Sequence, residues 1–176
     1  MRRQLIDWFR YMHPDTPVHL ENQPLHFDSI DALNMLDTDI LGPIELQHGS
    51  VSITYAFTSN TLKNHLLRHS PGQMAPALDQ HAASELNANG KLICKRQGAA
   101  CDFLVMGFEK RMDIIAQFII TQLPFDRLYF YGKDRPIHVS IGPDNSRFVQ
   151  IMKPSNQRHA VPTKRATGID SLRLFE

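Results

Sequence analysis

The sequence predicts an α+β domain, a small antiparallel sheet flanked by helices, and three observations predict it. Period-two alternation of apolar residues clusters in the second half of the chain. Helix-period stripes flank those segments rather than alternating with them one for one. The 176 residues, 42% of them hydrophobic, suffice for one buried core.

Residues 1–27 mix aromatics with Pro14, Pro17 and Pro24, which predicts a short opening helix and then an extended, irregular arm. From Asp28-Ser29, the residues Ile30, Leu33, Leu36, Ile40 and Leu41 recur at helical spacing until Gly42-Pro43 interrupts them. His48-Gly49 reads as a turn, and Val51, Ile53, Tyr55 and Phe57 alternate as a half-buried strand does. Ser59 caps a helix running through Leu62, Leu66 and Leu67 to Arg68. Residues 70–78 read as a loop that leads to Asp79-Gln80-His81.

Asn87 to Gly90 predicts a turn and Lys91–Cys94 a short strand; Gly98 opens another strand over Ala99–Val105. Glu109 to Leu123 is the clearest helix, with Met112, Ile115, Ile119 and Leu123 on one stripe and Pro124 as its stop. Strand-like pieces follow at Arg127–Tyr131, Ile137–Ile141 and Arg147–Met152. From Lys153 onward five basic and two acidic residues with little apolar content predict an extended basic tail, mobile or laid on a partner.

Composition narrows the function classes. Nineteen basic against eighteen acidic residues leave a formal charge of +1, which supplies no electrostatic reason for nucleic acid as the main partner. No apolar run approaches the length of a membrane span. The start carries charge without a signal-peptide core, so the expected location is cytoplasmic. Cys94 and Cys101 are too few for a disulfide framework and too far apart for a zinc ribbon. They read as reduced, small apolar residues, with pairing across adjacent strands as the alternative.

Nine histidines make any single one weak evidence, but His81 and His138 sit in short segments with unusual neighbours. Gly98-Ala99-Ala100-Cys101-Asp102-Phe103 resembles the Gly-x-Ala-x-Asp strand of the zinc D-Ala-D-Ala carboxypeptidase superfamily, which includes VanY-like peptidases, phage endolysins and the Hedgehog signalling domain. Pro124-Phe125-Asp126-Arg127-Leu128 followed by Ile137-His138-Val139-Ser140 is similar to its closing region. Ile53-Thr54-Tyr55-Ala56-Phe57-Thr58-Ser59 looks like its Ile-Thr-Ser-Gly-Tyr-Arg-Ser strand-turn. The three segments occur in the family's order. The resemblance implies a Hedgehog/DD-peptidase-like zinc domain over residues 28–152, between the N-terminal arm 1–27 and the tail 153–176.

Carried onto this chain, the resemblance implies His81, Asp102 and His138 as zinc ligands. The place of the family's first His, counted back from Asp102, holds Lys95. Asp79-Gln80-His81 would take its role, with an inserted hairpin around Asn87–Gly90. The chemistry of such a set is coherent. Two neutral imidazoles and one carboxylate leave the ion a net charge of about +1 and an open position for water. Asp102 lies among small and apolar residues, where an unpaired carboxylate is costly, so a metal or a basic partner is expected. Pairing with Arg96, or exposure to solvent, is the alternative.

The family's general base is a Glu, and Tyr131 stands where some members carry it. Asp134 is the nearest carboxylate before His138, and Glu85 is a further candidate. Tyr131 suits an oxyanion better than a proton-abstraction role. Thr58 replaces the Arg that holds a substrate carboxylate, leaving Ser59 of that turn with Arg147 and Arg96 as sources of the missing contacts. The leading expectation is a zinc-dependent hydrolase acting on a peptide or peptidoglycan-like amide. The alternative is a catalytically degenerate zinc module that binds a protein partner through the arm and the tail. A third reading moves the chemistry to a phosphodiester, with the tail on its phosphates.

Overall fold

The computed structural model describes residues 1–70, 78–153 and 160–176. Its architecture is mixed α and β: a six-stranded sheet and five α-helices. In chain order these are α1 (Gln4–Met12), α2 (Phe27–Met35), α3 (Gly42–His48), β1 (Val51–Tyr55), α4 (Asn60–His69), β2 (Ala99–Val105), α5 (Met112–Gln122), β3 (Arg127–Phe130), β4 (Ile137–Ile141), β5 (Phe148–Lys153) and β6 (Val161–Thr167).

The sheet order is β1-β2-β4-β3-β5-β6, and every neighbouring pair is antiparallel except β3 and β5. The sheet is therefore mixed and larger than the small antiparallel one expected. Two additions account for it. The β5 strand pairs with β3 in parallel, and β6, drawn from the segment expected as a tail, pairs with β5. Phe175, after a 3₁₀ helix over Gly168–Leu174, then packs its ring against Phe130 at a centroid distance of 5.0 Å. Residues 160–176 are thus part of the domain. The expected loop residues 71–77 and tail residues 154–159 lie outside the described residues.

The N-terminal segment is likewise built in rather than held out as an arm. Leu5, Ile6, Trp8 and Phe9 are buried along one face of α1, which packs on β1. Trp8 Nε1 donates to Phe57 O at 2.8 Å. Asn22, itself buried, donates to Ile6 O and Phe57 O, each at 2.8 Å, and accepts from Ser59 N at 2.8 Å. These bonds tie α1 to the turn that follows β1 and pair backbone groups of Phe57 and Ser59 that lie outside regular structure. Gly42-Pro43 does not stop the preceding helix. A π-helical stretch over Leu36–Leu41 carries the chain into α3, where Pro43 falls at the start and costs no hydrogen bond.

The expected strand at Lys91–Cys94 is absent, with only an isolated bridge between Leu86 and Leu92. Cys94 and Cys101 are both buried and free. Along β2 the residues Cys101, Phe103 and Val105 are fully buried, and α5 packs on β2 and β3 through its apolar face. No helix among the described residues is long and apolar enough to cross a membrane.

The opposite face of the sheet carries a polar row. Tyr55 on β1, Asp102 on β2, His138 on β4, Tyr129 on β3 and Gln150 on β5 stand opposite one another in register. Directly opposed residues project from the same face, so this row aligns chemistry drawn from distant parts of the chain. Gly98 makes the start of β2 possible. Its φ is +86°, and a Cβ there would come within 1.8 Å of Ile141 O. Gly98→Ala is therefore expected to lower stability by more than about 2 kcal/mol, read as a reduced midpoint of urea unfolding.

Candidate metal centre

The row at Asp102 and His138 meets a turn that comes from outside the sheet. Residues Gln80–Ala82 form one 3₁₀ turn that packs on β2, opened by Asp79, whose carboxylate accepts from His81 N at 3.1 Å. What fixes this turn is Gln80, buried to 1% exposure. Its Nε2 donates to Gln97 O at 2.8 Å and to Asp126 Oδ2 at 2.9 Å, and its Oε1 accepts from Ser140 Oγ at 2.8 Å. Asp126 is held in turn by Ser146 N at 2.9 Å. Gly142 leaves the space, since a Cβ there would lie 2.7 Å from Gln80 Nε2. A buried amide with both ends satisfied is rigid, and the residue after it is His81.

Two imidazoles and two carboxylates converge as a result. His81 Nδ1 lies 2.7 Å from Asp79 Oδ1, and His81 Nε2 lies 3.3 Å from Asp102 Oδ1. His138 Nδ1 lies 2.8 Å from Asp102 Oδ1, and His138 Nε2 lies 3.7 Å from Asp79 Oδ2. Each ring uses Nδ1 for a hydrogen bond to one carboxylate and turns Nε2 toward the other. Both Nε2 atoms are buried without a hydrogen-bond partner. Asp79, His81 and His138 offer ligand atoms within 4.8 Å of one another, so they could hold a metal ion. The imidazole side chains are 7% and 3% exposed and the carboxylates 28% and 25%, so the group is dry at its base and reaches solvent through its acids.

Aromatic rings frame the two imidazoles. Tyr55 meets His81 edge-on at 4.5 Å, and Tyr129 stacks on His138 at 4.6 Å with 13° between planes. The Tyr55 hydroxyl is buried and unpartnered. Burial raises its pKa, and the charges of Asp102 and Asp79 act in the same direction. Tyr131 is raised by burial and then by the same two carboxylates. Both phenols therefore stay protonated and able to donate. Burial also raises Tyr129, while the positive charges of Arg127 and Arg96 work against that rise.

The electrostatics of the group call for a cation. Burial disfavours a charged ring at His81, but Asp79 and Asp102 outweigh it and push the pKa up to about 10. Burial would raise Asp79 and Asp102, yet the two histidines hold both below the usual carboxylate range. A proton on His81 supplies the compensating charge in the metal-free protein, and a divalent ion would displace it.

The sequence-expected residues divide sharply. His81, Asp102 and His138 are brought together. Tyr131 lies close enough for both site carboxylates to act on its phenol. No ion pair between Asp102 and Arg96 forms among the described residues. Asp134 sits exposed in the turn between β3 and β4. Glu85 is 4% exposed, and its Oε1 accepts from Leu25 N, His26 N and Ser29 Oγ at 2.8, 3.1 and 2.8 Å. That oxygen ties down the start of α2. Ser59 caps α4 by accepting from Leu62 N at 3.2 Å. Arg147 donates to Leu123 O at 2.9 Å and to Ile120 O, closing the end of α5, and packs over Phe125. Ser59 and Arg147 thus have structural employment in place of the expected substrate contacts. Asp79 and Tyr55 are the residues that sequence reasoning passed over. The Asp-x-His spacing at residues 79–81 was the available signal for the first, and strand register alone reveals the second.

Compared with models of protein families, curated proteins and solved structures, the chain matches none.

Two outcomes test this geometry. In metal-stripped protein, the stability that wild type holds over His81→Gln should be fully present below pH 6.5, the ring's ordinary value, and vanish as pH rises through about 10. Thermal unfolding across that range reads it. Glu85→Ala should cost about 2 kcal/mol by orphaning the buried Ser29 hydroxyl and two partly buried backbone donors, read as a reduced midpoint of urea unfolding.

Proposed function

We propose that this protein is a zinc-dependent hydrolase of peptide-like amides, with His81, His138 and Asp102 holding the ion. The observation that carries the reading is the pair of buried, unpartnered Nε2 atoms beside two carboxylates. Buried polar atoms are rarely left unpaired, and each such atom needs an explanation. The donor set fits: imidazole and carboxylate are the usual ligands of an open zinc site. A tetrahedral ion with bonds of about 2.1 Å separates its ligand atoms by roughly 3.4 Å. His81 Nε2 and Asp102 Oδ1 are 3.3 Å apart and make no hydrogen bond.

In this reading Asp79 is a positioning residue. Its hydrogen bond to His81 Nδ1 at 2.7 Å fixes the tautomer that leaves Nε2 free. Zinc bound there would lower the pKa of a coordinated water toward neutrality and polarise a carbonyl. The chain's own contributions surround that step. Asp79 Oδ2 has no hydrogen bond among the described residues and is the carboxylate oxygen left to receive a proton. Tyr131 and Tyr55 stay protonated and supply O–H donors for charge developing on a carbonyl oxygen. Exposure of the two acids leaves one side of the group open to a substrate, unlike a closed structural site.

Zinc titration of stripped protein separates the roles. His81→Ala, His138→Ala and Asp102→Asn should each lose stoichiometric zinc, whereas Asp79→Asn should keep it with affinity weakened about 10- to 100-fold. If Asp102→Asn keeps zinc and Asp79→Asn loses it, the ligand and positioning roles of the two acids are reversed. Hydrolysis of a blocked-peptide library by zinc-loaded wild type, absent in the stripped protein, would establish the activity. Full zinc occupancy with no hydrolysis would favour the binding module instead.

A further inference from the structure

A second pair of imidazoles meets on α4, away from the sheet. His65 and His69 are four residues apart, so one stands above the other on the same side of the helix. Their ring centroids lie 4.2 Å apart with 21° between planes. His69 Nδ1 donates to His65 O at 2.9 Å. A carbonyl only accepts, so the proton sits on Nδ1 and the lone pair of His69 is left at Nε2. That bond therefore orients the ring as a backbone carbonyl orients a metal-binding histidine, while the ring nitrogens of His65 take no hydrogen bond among the described residues.

The helix places this pair in solvent and at a favourable end. Leu62 and Leu66 are buried and hold α4 against the core, whereas His65 is half-buried and His69 exposed. His69 lies in the last turn, where the aligned peptide dipoles concentrate negative potential and favour a cation. Arg68, exposed on the same turn, opposes a cation, but water and salt screen its charge. Two helical imidazoles at this spacing can share one ion. Because the rings already touch, an ion held by one meets the second at high effective concentration. Imidazole donors select nickel, copper or zinc over the hard cations magnesium and calcium.

We propose that His65 and His69 form a second metal site, a solvent-facing two-imidazole chelate for a borderline divalent transition ion. Water fills the remaining positions of that ion. The site shares no ligand with the group at His81 and His138, and it goes beyond the hydrolase reading without resting on it. An ion there clips the end of α4, next to the point where Ser70 N donates to Leu66 O, and so stabilises the folded chain by mass action.

The probe is nickel(II), titrated by isothermal calorimetry into metal-stripped, full-length protein at about pH 7.5, where ordinary imidazoles are mostly neutral. In wild type, His65→Ala should remove one bound ion per chain, and His69→Ala the same ion. His81→Ala should keep that ion, binding it about tenfold or more tightly than His81→Ala combined with either α4 variant. Magnesium should not bind there. An exchange of Leu67→His with His69→Leu preserves composition and charge but turns one imidazole to another side of the helix. Both positions are exposed, so circular dichroism should stay unchanged while affinity falls to that of a single-histidine variant. Nickel should raise the Tm of wild type more than that of the exchange variant. Undiminished binding in the exchange variant overturns the inference, because scattered surface histidines would then suffice. A bound-ion count that neither His65→Ala nor His69→Ala lowers overturns it too. So does loss of all nickel binding in a folded His81→Ala, since the sheet group would then hold the ion.

Discussion

Two carboxylates face two buried imidazoles across a gap of a few ångströms, and much of the structure near the sheet serves to hold that arrangement. Asp79 and Asp102 bring negative charge to a place where His81 and His138 are almost fully desolvated. Unless compensated, such a group would drift apart or neutralise itself by taking up protons. The chain prevents the first by rigid placement. Asp102 and His138 are opposed in the register of adjacent strands, and His81 is pinned by the Gln80 clamp. A proton on His81, favoured by both carboxylates, answers the second.

The clamp gives a physical role to residues that first drew notice for other reasons. Asp126 and Ser140 belong to segments noticed for their similarity to a zinc peptidase pattern. Here they grip the buried amide of Gln80, which positions the His81 turn over β2. Gly142 clears space for Gln80 Nε2, and Gly98 lets the start of β2 lie close against the backbone at Ile141. Such a group is held by packing and hydrogen bonds one layer behind it, and small errors there propagate to the placement of the two imidazoles. The peripheral segments add to this. The N-terminal helix secures β1 and the turn after Phe57, and Glu85 fastens residues 25–29 to the chain just beyond His81.

Several residues that look functional by type are structural by position. Glu85 is a carboxylate close in sequence to His81, yet three donors occupy one of its oxygens. Arg147 is a free-looking cation in a loop, yet it closes the end of α5. Conversely, Asp79 entered only as a neighbour of His81 in the Asp79-Gln80-His81 segment, and its carboxylate lies beside both imidazoles. Residue type states what chemistry is possible. Whether a group is already satisfied depends on neighbours far away in the chain, and that sets its availability.

The sequence by itself determined the local elements and the shortlist of chemistry. Apolar spacing marked α5 and the strands at Val51, Ala99, Arg127, Ile137 and Phe148 within a few residues, because period and burial are written locally. Unusual neighbours separated His81 and His138 from the other histidines. Only the tertiary structure decided that residues 1–27 and 160–176 belong to the domain, since a short helix and an edge strand draw their stability from contacts with distant partners. It alone aligned Tyr55, Asp102, His138 and Tyr129 in one row, because strand register is a relation between segments.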